Sequence, residues 1–171
     1  QIDTVDYSAL GGALAIDVTL DTSNDATVTV TGDLNDTIRN LENVIGTGGN
    51  DTIVGDALAN VLQGAGGNDD LAGRGGNDTL DGGLGTDAAD YSLAASAVNA
   101  DLGAGLATDD GDGGVDTLTN IENLTGSTNN DTLRGDTGAN LLDGNTGDDQ
   151  LIATAGNDTL DGGTGTDTVD Y

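Results

Sequence analysis

The chain has 171 residues, with 31 Asp and Glu against three Lys and Arg and no His, which gives a formal net charge of −28. This charge excludes partners that are bound through phosphates, because nucleic acids and anionic membranes would both be repelled. Cys is absent, which excludes disulfides and thiolate metal sites, and no apolar run approaches the roughly 20 residues of a membrane-spanning helix.

The acidic residues are almost all aspartates, since only Glu42 and Glu122 are glutamates. Aspartate forms turns readily, and as a hard oxygen donor it suits Ca²⁺. The sequence also contains 30 Gly and no Pro, which indicates many tight turns. Hydrophobic residues make up only 35%, against about 45–50% in an ordinary domain, so we expect the chain not to fold without a counter-charge.

Residues 1–45 predict strands rather than nine-residue units. Residues 1–7 contain the string DTVDY, which returns at 167–171, so 1–7 is predicted to be the tail of a preceding repeat. In 8–45, apolar residues alternate with polar ones, and this alternation is typical of strands. We predict a strand-rich cap or linker that covers the open end of a solenoid or continues it. The alternating residues are Leu14, Ile16, Val18, Leu20, Val28 and Val30.

Residues 46–91 consist of five consecutive nine-residue units, which read GTGGNDTIV, GDALANVLQ, GAGGNDDLA, GRGGNDTLD and GGLGTDAAD. Position 6 is Asp or Asn in each unit, and position 8 is apolar. One apolar residue between polar ones predicts a short strand with a single inward face, and the Gly-rich residues before it predict a turn. The position-8 residues are Ile53, Leu62, Leu71, Leu80 and Ala89.

Residues 92–125 are predicted to be a second strand-rich cap or linker, with Val98, Ala100 and Leu102 as its weaker alternating residues. Asp109, Asp110 and Asp112 in this linker lack the spacing and the terminal Glu of an EF-hand, and are expected to form a solvated loop. Residues 126–171 form a second array of five units: GSTNNDTLR, GDTGANLLD, GNTGDDQLI, ATAGNDTLD and GGTGTDTVD.

The template of both arrays resembles the RTX (repeats-in-toxin) nonapeptide G-G-x-G-x-D-x-U-x, and the ten units cover about 90 residues. The resemblance implies an all-β fold of two calcium-stapled parallel β-rolls, a form of β-solenoid, at 46–91 and 126–171. Three units depart from the template: those opening at Gly55 and Gly135 have Asn at position 6, and Ala153 replaces an opening Gly. These loops are expected to bind more weakly or to form the first coil of a roll.

Two units complete a coil of 18 residues, so position-6 residues that are 18 apart should stack about 4.8 Å apart on one edge. Ca²⁺ takes 6–8 oxygen ligands at about 2.3–2.6 Å and fits between such carboxylates. The resemblance implies that these side chains and loop carbonyls bind several ions, about six or more. The predicted metal ligands are Asp51, Asn60, Asp69, Asp78, Asp87, Asp131, Asn140, Asp149, Asp158 and Asp167.

Without His, Cys or Lys the chain lacks the residues for catalytic triads, thiol nucleophiles and Schiff bases, so we predict no enzyme and no catalytic or cofactor-binding residue. The resemblance implies an extracellular or cell-surface protein that is exported unfolded and folds on binding Ca²⁺. We expect a structural repeat of an adhesin stalk, surface layer or filament, with neighbouring copies of the module as partners. The alternative is an accessory module of a secreted enzyme or toxin.

Overall fold

The computed structural model describes residues 2–10, 14–22, 25–31 and 36–171. Within these ranges the chain forms 19 short strands, and no helix is long and apolar enough to cross a membrane. The strands that precede the first array are β1 (Thr4–Asp6), β2 (Ile16–Thr19), β3 (Asp25–Val30), β4 (Asp36–Arg39) and β5 (Asn43–Ile45). The strands of the first array are β6 (Thr52–Val54), β7 (Val61–Gln63), β8 (Asp70–Ala72), β9 (Thr79–Asp81) and β10 (Ala88–Asp90).

The second half of the chain repeats this organisation, with one strand in each nine-residue unit of the second array. The linker strands are β11 (Asn99–Asp101), β12 (Leu106–Asp109), β13 (Asp116–Thr119) and β14 (Asn123–Thr125). The array strands are β15 (Thr132–Arg134), β16 (Leu141–Asp143), β17 (Gln150–Ile152), β18 (Thr159–Asp161) and β19 (Thr168–Asp170). The all-β prediction, with one strand at the end of each unit, is therefore confirmed.

Consecutive units place their strands in opposite sheets, so two units make one coil of a solenoid. Strands β6, β8 and β10 are parallel neighbours in one sheet, and β5, β7 and β9 are parallel neighbours in the other. Ile53 pairs with Leu71 and Leu62 pairs with Leu80, so residues 18 apart lie side by side. This is the spacing that the nine-residue period predicts.

The two linkers both cap and continue the solenoid. Strand β2 pairs in parallel with β6 and antiparallel with β3, which in turn pairs with β4 at the end of that sheet. In the opposite sheet β13 pairs in parallel with β9, and β11 pairs in parallel with β15, while β12 joins β11 and β13 through antiparallel pairs. The second linker is thus inserted between the two arrays as a three-stranded segment.

Both sheets run through the two arrays without a break. One has the strand order β1-β5-β7-β9-β13-β12-β11-β15-β17-β19, and the other has the order β18-β16-β14-β10-β8-β6-β2-β3-β4. Ala89 pairs with Leu124 across the junction, and Leu80 pairs with Leu118. The arrays therefore share one continuous core.

The core between the sheets is a double column of position-8 side chains. These residues are fully buried from the first coil to the middle of the second array. Only the last coil opens to solvent, where Leu160 is partly buried and Val169 is 42% exposed. Each unit contributes one inward side chain, so the core is narrow and the turns lie on its two edges. The fully buried column members include Ile53, Leu62, Leu71, Leu80, Leu124, Leu133, Leu142 and Leu151.

Candidate metal sites

The position-6 side chains form a hydrogen-bonded ladder along each edge of the solenoid. On one edge of the first array Asp69 Oδ1 accepts the backbone N–H of Asp51, and Asp87 Oδ1 accepts that of Asp69, both at 2.8 Å. On the opposite edge Asp78 Oδ1 accepts the N–H of Asn60 at 2.8 Å. Each acceptor lies 18 residues after its donor, so the ladder joins successive coils.

The second array repeats the ladder. Asp149 Oδ1 accepts the N–H of Asp131 at 2.8 Å, and Asp167 Oδ1 accepts that of Asp149 at 3.1 Å. On the other edge Asp158 Oδ1 accepts the N–H of Asn140 at 3.1 Å. Asp158 is half-buried and Asp167 is exposed, because both belong to the last coil. The ten predicted ligands thus stack as their spacing requires, and their binding of a metal remains a prediction.

Four of these carboxylates keep a second oxygen that is buried and has no hydrogen-bond partner. The side chains are at most 2% exposed, so water does not replace the missing donor. A buried acceptor without a partner costs about 1–3 kcal/mol, and a charged one costs more. These oxygens need a positive partner if the fold is to be stable. They are Oδ2 of Asp69, Asp78, Asp87 and Asp149.

In four other units the corresponding oxygen is already bonded by the chain itself. The donor is the backbone N–H at position 2 of the same unit. The bonds run from Thr47 to Asp51 Oδ2 (2.6 Å), from Asp56 to Asn60 Oδ1 (2.9 Å), from Ser127 to Asp131 Oδ2 (2.6 Å) and from Asp136 to Asn140 Oδ1 (2.8 Å). All four units belong to the first coil of an array. We call them closed units, and the units of Asp69, Asp78, Asp87 and Asp149 open units.

The backbone at position 2 separates the two kinds of unit. In the open units this residue has a left-handed conformation, which leaves Oδ2 without a donor. In the closed units its side chain instead accepts the N–H of position 4, as in Asx- and Ser/Thr-turns. The left-handed residues are Ala65 (φ 75°), Arg74 (φ 66°), Gly83 (φ 94°) and Asn145 (φ 66°). The turn acceptors are Thr47, Asp56, Ser127 and Asp136, at 2.7–3.0 Å.

In nine of the ten units the opening residue is a glycine, and it lies against the position-6 side chain. At Gly64, an added Cβ would overlap Asp69 Oδ2 and come within 2.7 Å of the carbonyl oxygen of Gly82 in the next coil. At Gly144 it would overlap Asp149 Oδ2. Carboxylate and carbonyl oxygens therefore surround a space that a side chain would fill at these glycines, which explains why nine of the ten units open with glycine, the exception being the unit of Ala153.

Burial changes the protonation of the ladder carboxyls. Burial, together with the charges of neighbouring aspartates, raises the pKa of both Asp69 and Asp78 to about 7, against an ordinary value of 3.8. Burial also raises the pKa of Asp87 and Asp149. The fold therefore holds these carboxylates charged at neutral pH only at a free-energy cost, which a bound cation would remove.

The structure corrects one expectation about the second linker. Asp109 and Asp112 are exposed, as predicted for a solvated loop, but Asp110 is 0% exposed. Its loop packs on the unit that opens at Gly73, because residues 111–119 read GDGGVDTLT and fit the nonapeptide template. Asp116 at position 6 of this unit accepts the N–H of Asp78 through Oδ1 at 3.0 Å. This unit is hidden in the sequence because it is out of phase with the array that begins at Gly126.

Two glutamates also belong to the ladder and were not among the predicted ligands. Glu122 Oε2 accepts the N–H of Asp87, and Glu42 Oε2 accepts that of Asp3, both at 2.8 Å. Counting back nine residues from Gly46 places Glu42 at position 6 and Val44 at position 8, so the phase of the array would have revealed it.

The donor set of the open units fits Ca²⁺. It consists of carboxylate and carbonyl oxygens, which are the ligands that this hard cation prefers. Within the described part of the chain no group of three acidic side chains could by itself hold a metal. An ion in this ladder would therefore take position-6 carboxylates from two successive coils and complete its shell with turn carbonyls.

Comparison with known proteins bears on the same residues. Four stretches match the family described as RTX calcium-binding nonapeptide repeat: residues 42–57, 54–88, 120–151 and 143–171. Together they cover more than half of the chain and include all ten predicted ligands. A search of curated proteins finds no match.

Proposed function

Because the chain belongs to the RTX calcium-binding nonapeptide repeat family, we propose that it is a structural module of a secreted or cell-surface protein that folds and stiffens on binding Ca²⁺ outside the cell. The module is not an enzyme in this proposal. It serves as one segment of a long stalk, surface layer or filament. The observation that carries the proposal is the row of buried carboxylate oxygens without a partner at Asp69, Asp78, Asp87 and Asp149.

The calcium dependence of folding follows from the composition and from the ladder. Each unit buries one position-8 side chain, which is little apolar area to offset the chain entropy of nine residues. The same unit places an acidic residue beside others of the same charge, in a chain with a net charge of −28. Ca²⁺ binding then supplies folding free energy, as it does where the metal-free chain is unfolded. Extracellular calcium modules have dissociation constants of about 10⁻⁴–10⁻³ M, which suits folding after export.

The role as a stiff segment is supported by the continuity of the two sheets. Strand β10 pairs with β8 of its own array and with β14 of the next, so hydrogen bonds cross the junction between arrays in the same register. An equivalent Tyr–Asp hydrogen bond marks the start of each linker, from Tyr7 to Asp36 at 3.1 Å and from Tyr91 to Asp116 at 3.2 Å. Successive modules therefore join as a rod and not as beads on a flexible linker.

The direct test is circular dichroism and light scattering on a size-exclusion column, first in chelator and then with Ca²⁺, with Mg²⁺ as the control cation. We expect an expanded chain in chelator and a compact β-rich one in about millimolar Ca²⁺. Growth into polymers would point to the surface layer or filament, whereas a compact monomer would point to a stalk segment. A chain that is equally compact in chelator and in Ca²⁺ would contradict the proposal.

A matched pair of variants tests the ladder. In Asp149→Asn the amide oxygen still accepts the N–H of Asp131, but the free Oδ2 becomes an NH₂ group. Asp148→Asn removes the same charge from the exposed neighbour, whose Oδ1 accepts the N–H of Thr166 at 2.8 Å. We expect the Ca²⁺ midpoint of folding to rise about tenfold for Asp149→Asn, which corresponds to about 1.4 kcal/mol, and to stay near that of the wild type for Asp148→Asn. Equal midpoints for the two variants would contradict the assignment of Asp149.

A further inference from the structure

The second linker contains a buried acidic residue outside the position-6 ladder. Asp110 is 0% exposed, and its Oδ1 accepts the N–H groups of Asp112 at 2.7 Å and Gly114 at 2.8 Å. Its Oδ2 is buried and has no hydrogen-bond partner. Asp110 lies one residue before the unit 111–119. Like the open-unit aspartates, it has a buried carboxylate oxygen without a hydrogen-bond partner, and such an oxygen favours a bound cation.

The partners of Asp116 explain why the free oxygen at this level of the stack belongs to Asp110. Asp116 Oδ1 accepts the N–H of Asp78, as in the rest of the ladder, but its Oδ2 accepts the hydroxyl of Tyr91 at 3.2 Å. Neither oxygen of Asp116 is left without a donor. At this level of the stack the buried oxygen without a donor is therefore Asp110 Oδ2, which lies beside Gly114.

A second oxygen borders the gap that Asp110 Oδ2 faces, which lies beside Gly114. A Cβ added to Gly114 would overlap the carbonyl oxygen of Gly76 and lie 2.5 Å from Asp110 Oδ2, so both oxygens border the gap beside Gly114. On the neighbouring coil, which is joined to this one by the hydrogen bond from Asp78 N–H to Asp116 Oδ1, Asp78 has a second buried Oδ2 without a partner. The carboxyl of Asp78 also lies within electrostatic range of Asp116 and Asp110, whose charges contribute to its raised pKa.

We propose that Asp110 is the linker's own calcium ligand, which together with Asp78 and the carbonyl of Gly76 holds one Ca²⁺ between the first array and the inserted strands. The inference rests on the proposed function. This ion stabilises the join between the arrays, because the strand that follows the loop, β13, pairs with β9 of the first array. At the same spacing before Asp36, the first linker has the buried Val30 in place of an acid.

The test counts bound ions by native mass spectrometry of the full chain at saturating Ca²⁺. In Asp110→Asn the amide oxygen keeps both backbone hydrogen bonds, so the change is confined to Oδ2. Asp109→Asn is the matched control, since Asp109 is exposed and its Oδ1 accepts only the N–H of Gly111 at 3.1 Å. We expect Asp110→Asn to bind one ion fewer than the wild type, and Asp109→Asn to bind the wild-type number.

Asp149→Asn distinguishes a failure of the linker site from a failure of the proposed function. If Asp149→Asn loses an ion and Asp110→Asn does not, the linker site is refuted and the proposed function stands. If the wild type binds no Ca²⁺, the proposed function fails together with the site. Should Asp110→Asn not fold at any Ca²⁺ concentration, the anomalous signal of Ca²⁺ in wild-type crystals decides: a peak about 2.3–2.6 Å from Asp110 Oδ2 supports the site, and its absence overturns it.

Discussion

The adjacent leucines 141 and 142 allow a sharp test of the inward face of the solenoid. Leu142 is fully buried and pairs with Leu124 and Leu160 in the neighbouring coils, whereas Leu141 is 40% exposed on the outer face of the same strand. Truncation of a buried leucine to alanine costs about 2–5 kcal/mol, because the protein loses the transfer free energy of the removed atoms and also pays for the cavity that they leave. We expect about 3 kcal/mol for Leu142→Ala and about 0.5 kcal/mol or less for Leu141→Ala.

Urea unfolding at saturating Ca²⁺, followed by circular dichroism, measures the difference. With a denaturant slope of about 1–3 kcal/mol/M, Leu142→Ala should lower the urea midpoint by roughly 1–3 M, and Leu141→Ala should leave it almost unchanged. Fixing the Ca²⁺ concentration keeps the contribution of binding constant between variants. A one-residue slip in register would exchange the faces of every strand. An equal or larger loss of stability in Leu141→Ala would therefore refute the inward assignment.

Two further predictions concern the ladder. In chelator, acidification should favour the compact state, because burial raises the pKa of Asp69 and Asp78 to about 7 against 3.8 for the ordinary group. The destabilisation of the fold by these two buried charges is absent below about pH 4, grows between pH 4 and 7, and is complete above pH 7. Circular dichroism in chelator against pH checks this, and a metal-free chain that gains structure as the pH rises would contradict it. Gly64→Ala should raise the Ca²⁺ midpoint of folding by at least about tenfold, since the added Cβ would overlap Asp69 Oδ2. In the control Gly66→Ala the added Cβ would lie 3.9 Å from the nearest atom, the Cα of Gly48, so the midpoint should stay nearly unchanged. Equal midpoints in a Ca²⁺ titration of these two variants would exclude the crowding at position 1.

The nine-residue period made most of the fold predictable. The fixed phase of one apolar residue and one Asp or Asn gives the strand, its inward face and the 18-residue stacking, all of which depend only on local geometry. Insertions interrupt this signal. The unit 111–119 fits the template, but it begins fifteen residues before Gly126, and that distance is not a multiple of nine. Asp110 is buried because β13 pairs with β9, and this tertiary contact cannot be predicted from a local sequence pattern.

The distinction between open and closed units could be predicted only in part from the sequence. Thr47, Asp56, Ser127 and Asp136 are residues that favour Asx- and Ser/Thr-turns, so the closed units carry a local signal at position 2. Asn145 is also such a residue, yet it adopts φ 66° in an open unit. Ala65 and Arg74 have left-handed conformations that are uncommon for their residue types. These conformations are therefore imposed by the stacking of the coils and do not follow from local preference.

We expect the order of closed and open units to couple calcium binding to the growth of each array. In the first coil the carboxylates of Asp51 and Asp131 accept N–H groups of their own turns, so both of their oxygens have a donor before any cation binds. In the next coil on the same edge, Asp69 and Asp149 each bury an oxygen that has no donor. Removing such a charge from water costs several kcal/mol per ion, by order of magnitude, so an added coil is unfavourable by itself. A divalent ion held between two coils would offset this cost, so we expect the stacking of each added coil to depend on the ion that it shares with the coil before it.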